Sequence, residues 1–71
     1  MDTTKAFRLC RKIRKKTGLA VSINQQVWAF QSGEQQIYYR LTFFTTPDTC
    51  EAREFPKWNE LESYTKEKWD V

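Results

Sequence analysis

Seven of the twelve basic residues lie between Lys5 and Lys16, with spacings that suit one helix. They are Lys5, Arg8, Arg11, Lys12, Arg14, Lys15 and Lys16. Within residues 1–17 only Asp2 opposes them, for a net charge of +6. The remaining 54 residues hold five cations and eight anions, a net of −3. A cationic end joined to an acidic body attracts polyanions by Coulomb steering. Several cations at helical spacing can neutralise several phosphates, and Arg8, Arg11 and Arg14 bring the planar fork that binds phosphate bidentately. Nucleic acid is therefore the expected partner, through backbone contacts with little base readout. An acidic protein surface is the rival, bound by a small adaptor or inhibitor. A third reading is a solvated face that complements the acidic remainder of the same chain.

Catalysis is not expected. The chain has no His, the commonest general base and metal ligand near neutral pH. Its carboxylates, among them Glu51, Glu54, Glu60, Glu62, Glu67 and Asp70, are spread in the manner of solvating surface acids. There is no Gly-rich phosphate loop, nucleophile elbow or metal-ligand cluster. The sequence implies no cofactor and no small-molecule substrate. Cys10 and Cys50 are too few for a disulfide framework, and without His they do not make a usual structural zinc site. Both are expected to be reduced.

Two aromatic residues accompany the cations. On a wheel of about 100° per residue, Phe7 falls between Arg11 and Arg14, apart from the apolar stripe. There it stacks on a base, fills a partner's pocket, or folds back over the core. Tyr38 and Arg40 form a second aromatic–cation pair on a strand, of the kind enriched at binding hot spots.

The elements that position these groups follow from the apolar pattern. Ala6, Leu9, Cys10, Ile13 and Thr17 share one arc of the first helix. Asp2, Thr3 or Thr4 can cap its start and Gly18 its end. From Leu19 the period becomes two. Leu19, Val21 and Ile23 place odd residues inward, whereas Trp28 and Phe30 place even ones inward. A β-bulge within Asn24-Gln25-Gln26 reconciles the phases. A two-residue turn at Ser32-Gly33 or Gly33-Glu34 then sets Trp28 and Phe30 on the face of Ile37, Tyr39, Leu41 and Phe43. Val27, Ala29, Gln36, Tyr38, Arg40 and Thr42 form the open face. Residues 45–49 read as a loop, and Cys50 to Phe55 as a short third strand. Pro56 suits the first turn of a second helix that runs to about Trp69. In it Trp58, Leu61, Thr65 and Trp69 share an arc flanked by Tyr64. All three tryptophans read as core.

The expected fold is α+β, α-β-β-(β)-α, one domain over residues 1–71. An antiparallel hairpin or three-stranded sheet carries both helices on one face. This order is similar to that of double-stranded-RNA-binding domains, which run α-β-β-β-α at about this length. That resemblance implies a Lys-rich start to the second helix and a His-containing first hairpin loop. Here the corresponding segments are Lys57-Trp58-Asn59-Glu60 and Ser32-Gly33-Glu34, so the family's RNA contacts do not carry over. A short, Met-initiated chain without an enzyme motif also looks like the small accessory proteins of phages and mobile elements. The uncharged stretch from Gly18 to Gly33 is dotted with Ser, Asn and Gln, so no transmembrane helix or membrane partner is expected. The charged first turns do not read as a secretory signal, and a cytoplasmic location is expected.

Overall fold

A computed structural model describes residues 3–71, with side chains from Thr4 onward. The order is α1 (Thr3–Thr17), β1 (Val21–Ala29), β2 (Gln35–Thr46), β3 (Thr49–Phe55) and α2 (Trp58–Trp69). The three strands form one antiparallel sheet in the order β1-β2-β3. The α+β expectation holds, and residues 49–55 are a full third strand.

Both helices lie on one face of the sheet. Ile13 of α1 and Leu61 of α2 meet Leu41 and Phe43 of β2 in a small buried core. Leu9, Tyr39, Phe55, Trp58, Tyr64 and Trp69 close around it. Aromatic edges supply much of that closure. The Phe43 ring meets Trp69 edge-on at 5.1 Å, and Tyr39 meets Trp58 at 5.6 Å. Such pairs add about 0.5–1.5 kcal/mol beyond area burial. The α1 stripe and the α2 arc are thus placed as their periodicity predicts. Pro56 precedes α2, whose N-cap is Lys57, rather than occupying its first turn. Asp70 ends α2 in the left-handed region, its amide donating to the Lys66 carbonyl.

The first hairpin departs from expectation, and loop length is the reason. The Phe30 N–H donates to the Glu34 carbonyl, and the Gly33 N–H donates to that of Phe30. The loop is therefore the three residues Gln31-Ser32-Gly33, with Gly33 at φ +92°. Three-residue loops of this type end in a left-handed residue, which favours glycine. Adding one residue to the loop shifts the register by one and reverses the face assignment. Trp28 now opposes Gln36 and Val27 opposes Ile37, with an unbroken ladder from Val21↔Phe43 to Ala29↔Gln35. There is no bulge at Asn24-Gln25-Gln26. Trp28 and Phe30 are not core; they are 49% and 44% exposed on the open face. Val27 and Ala29 lie on the helix side instead. The irregularity in the sheet occurs in β2, where Thr45 is an extra residue between the pairs Phe44↔Cys50 and Thr46↔Thr49. The expected loop over residues 45–49 shrinks to a turn at Pro47-Asp48.

The first hairpin extends beyond the helices. Val27 and Ile37 sit on the helix side yet are 66% and 47% exposed. The molecule is correspondingly long, 42 × 25 × 19 Å. A Cβ at Gly33 meets nothing within 4 Å, so Gly33→Ala tests backbone strain without a clash. The expected loss is about 1 kcal/mol, read as a lower urea midpoint at unchanged m-value.

Candidate nucleic-acid interface

The cations gather because α1 buries only a narrow stripe. Ala6 and Ile13 are buried and Leu9, Cys10 and Thr17 half-buried. Lys5, Arg8, Arg11, Lys12, Arg14, Lys15 and Lys16 are all exposed. Fifteen residues at about 1.5 Å rise give a rod of roughly 22 Å, several phosphate spacings long. Arg14, Lys15 and Lys16 occupy the last turn, where cations complement the helix dipole. That turn is tied down. Thr17 Oγ1 donates to the Ile13 carbonyl at 3.0 Å and accepts from the Leu19 amide at 3.1 Å. Gly18, at φ +73°, donates its amide to the Arg14 carbonyl at 2.7 Å. Helix entry through Asp2 lies outside the described residues.

Lys12 borders a cleft toward α2, lined also by Leu9, Asn59, Glu62 and Lys66. Arg8, Arg11 and Lys15 project away from that cleft on the helical wheel. The cationic ridge thus faces solvent along the side that α2 leaves open.

Phe7 does not fold back over the core; it is 69% exposed. With Ala6 and Cys10 it forms one wall of an open groove of about 490 Å³, and residues 21–25 of β1 form the other. Cys10 lies inside this groove. Burial pushes its thiol pKa up, and a backbone hydrogen bond from Ile23 acts weakly in the opposite sense. A raised thiol pKa costs folding nothing below the unfolded value of about 9 and weakens it as pH rises beyond. Cys50 is exposed on β3, and both cysteines are free. Iodoacetamide at pH 8 should therefore modify Cys50 about tenfold faster than Cys10, because thiolate fraction and access both govern the rate. Peptide mass spectrometry gives both rates, and equal rates contradict this placement of Cys10.

Tyr38 and Arg40 are on the open sheet face, opposite the helices. The structure separates them from α1 by the thickness of the sheet. Arg40 is flanked by Asn24 and Glu54 across the strands, so this face carries little net charge. The Tyr38 hydroxyl donates to Gln36 Oε1. Trp28, Phe30, Tyr38 and Glu54 line a shallow pocket of about 320 Å³. Trp28 and Phe30 belong to this patch, and the sequence reading missed them through the turn length alone. A Gly three residues after Phe30, which fits a three-residue loop ending in Gly33, was the available signal.

Among the described residues no helix is long and apolar enough to cross a membrane. Comparison with known proteins finds no matching family model, curated protein or solved structure.

Proposed function

We propose that this chain is a non-catalytic binding module that holds nucleic acid through the solvent-facing ridge of α1, by contacts to the phosphate backbone. The observation that carries this reading is the simultaneous exposure of all seven cations of residues 5–16 on one helix. Phosphate contacts supply affinity and position without sequence information. The ridge presents Arg8, Arg11, Arg14 and Lys15, and Phe7 beside it offers a ring on which an unpaired base can stack. The absence of His from the sequence supports a non-catalytic role. As proposed, it works in the cytoplasm, in the manner of the small accessory proteins of phages and mobile elements.

The same exposed Phe7 favours a second reading, an adaptor or inhibitor for an acidic protein. Heparin competition separates the two. Labelled random-sequence duplex bound through phosphates should be displaced by heparin and by any unlabelled DNA. An absence of duplex binding, with retention of one protein partner under the same heparin, favours the adaptor.

A further inference from the structure

The groove beside Phe7 runs along a sheet edge that is open in a particular way. Hydrogen-bonded pairs recur at every second residue of an antiparallel ladder. The Phe44 amide bonds the Ala20 carbonyl and the Phe30 amide bonds that of Glu34, so the even residues of β1 face β2. Val21, Ile23, Gln25, Val27 and Ala29 therefore direct their backbone N–H and C=O groups out of the sheet. Cys10 sits against the Ile23 amide. From Gln25 to Ala29 the outward groups meet no further strand among the described residues. Edge strands are ordinarily guarded by charge or proline. β1 reads VSINQQVWA and has neither.

Charge decides what fits there. Phe7, Arg11 and Arg14 fall within about 60° of one another on the helical wheel, on the flank where Phe7 borders the groove. A second copy of this chain would bring two segments of charge +6 side by side. A nucleic-acid strand can stack a base on Phe7 but has no regularly spaced peptide N–H and C=O groups to pair along the strand edge. An extended acidic peptide supplies negative charge, an apolar side chain and those backbone groups. We infer that the groove and the adjoining β1 edge take such a peptide from a partner protein. Its backbone pairs with the outward groups of Gln25 to Ala29, one apolar side chain enters between Phe7 and Ile23, and its carboxylates meet Arg11 and Arg14. This is strand addition with a side-chain pocket for specificity. It shares Phe7, Arg11 and Arg14 with the proposed phosphate-binding ridge and leaves Arg8 and Lys15 to that ridge alone.

A displayed library of random nonapeptides, selected against the folded chain, tests the inference. Enriched sequences should pair Asp or Glu with one bulky apolar residue. A synthetic peptide of the enriched sequence should slow alkylation of Cys10 about tenfold at saturation, since access governs thiol reaction. Cys50, on the other edge strand, serves as an internal control and should keep its rate. Peptide affinity should fall about tenfold or more in Phe7→Ala and in Arg11→Gln/Arg14→Gln, all at exposed positions, with folding checked by circular dichroism. N-methylation of alternate peptide amides should abolish binding in one of the two phases only.

The inference is overturned by no enrichment, by enrichment of basic or uncharged sequences, or by an unprotected Cys10. Protection of Cys10 by a labelled single-stranded oligonucleotide also overturns it. So does a concentration-dependent dimer in sedimentation that protects Cys10 without peptide. Because Arg11 and Arg14 serve both readings, Arg8→Gln/Lys15→Gln separates them: it should weaken duplex binding and leave peptide affinity unchanged, and a parallel fall in peptide affinity overturns the groove assignment.

Discussion

Phe43→Ala is expected to remove about a third or more of the protein's stability. The ring is 2% exposed and sits where β2, Tyr64 and Trp69 converge, with the Lys68 ammonium 5.2 Å from its centroid. Truncating a buried Phe costs about 3–5 kcal/mol through forfeited transfer energy and a residual cavity. A chain of this length has roughly 4–10 kcal/mol in all, at about 0.05–0.15 kcal/mol per residue. The melting temperature should fall by about 12 °C or more, given roughly 4–8 °C per kcal/mol for so small a domain. Few other core residues exist to compensate, because only Ala6, Ile13, Leu41, Phe43 and Leu61 are buried hydrophobics among the described residues. A drop of under about 5 °C would show that the Phe43 site collapses on itself without a cavity. Trp28→Ala, on the half-exposed face, should cost only about 1–2 kcal/mol in the same assay.

The second large effect is on affinity rather than stability. Replacing Arg8, Arg11 and Lys15 together with Gln should leave the melting curve almost unchanged. All three are exposed, and Gln is a comparable helix former. Duplex affinity should fall across all sequences. The slope of log K against log salt should shrink by roughly 2–3, about 0.9 for each phosphate that is no longer neutralised. Fluorescence anisotropy at four or five salt concentrations reads both. Unchanged affinity would move the interface off α1 to the face that holds Trp28, Tyr38 and Arg40.

The two helices were legible in the sequence because each carries a single unambiguous period. Ala6, Ile13, Leu61 and Thr65 are buried on the arcs that the 3.6-residue repeat assigns them. The basic ridge was legible for the same reason: what the stripe leaves over must face water. The sheet was harder. Alternation over a strand of nine residues fixes which residues share a face, but the phase between strands depends on the turn. One extra loop residue placed Trp28 opposite Gln36 instead of in phase with Ile37. Both faces of the distal hairpin carry apolar residues, so hydrophobicity could not arbitrate between the two registers. Val27 and Ile37 on one side balance Trp28 and Phe30 on the other. The groove was not legible at all. It exists because α1 crosses near the β1 edge at Cys10 and Ile23, a packing fact that no local pattern encodes.

The most direct measurement on the central claim is the salt dependence of the wild-type chain with a labelled random-sequence duplex, titrated from about 50 mM to 200 mM salt, a range over which screening of exposed charge rises steadily. If the outer ridge of α1 engages about four phosphates, through Arg8, Arg11, Arg14 and Lys15, log K should fall linearly against log salt with a slope of about −3 to −4. Absence of binding at the lowest salt, or binding with a flat slope, would contradict phosphate recognition by α1.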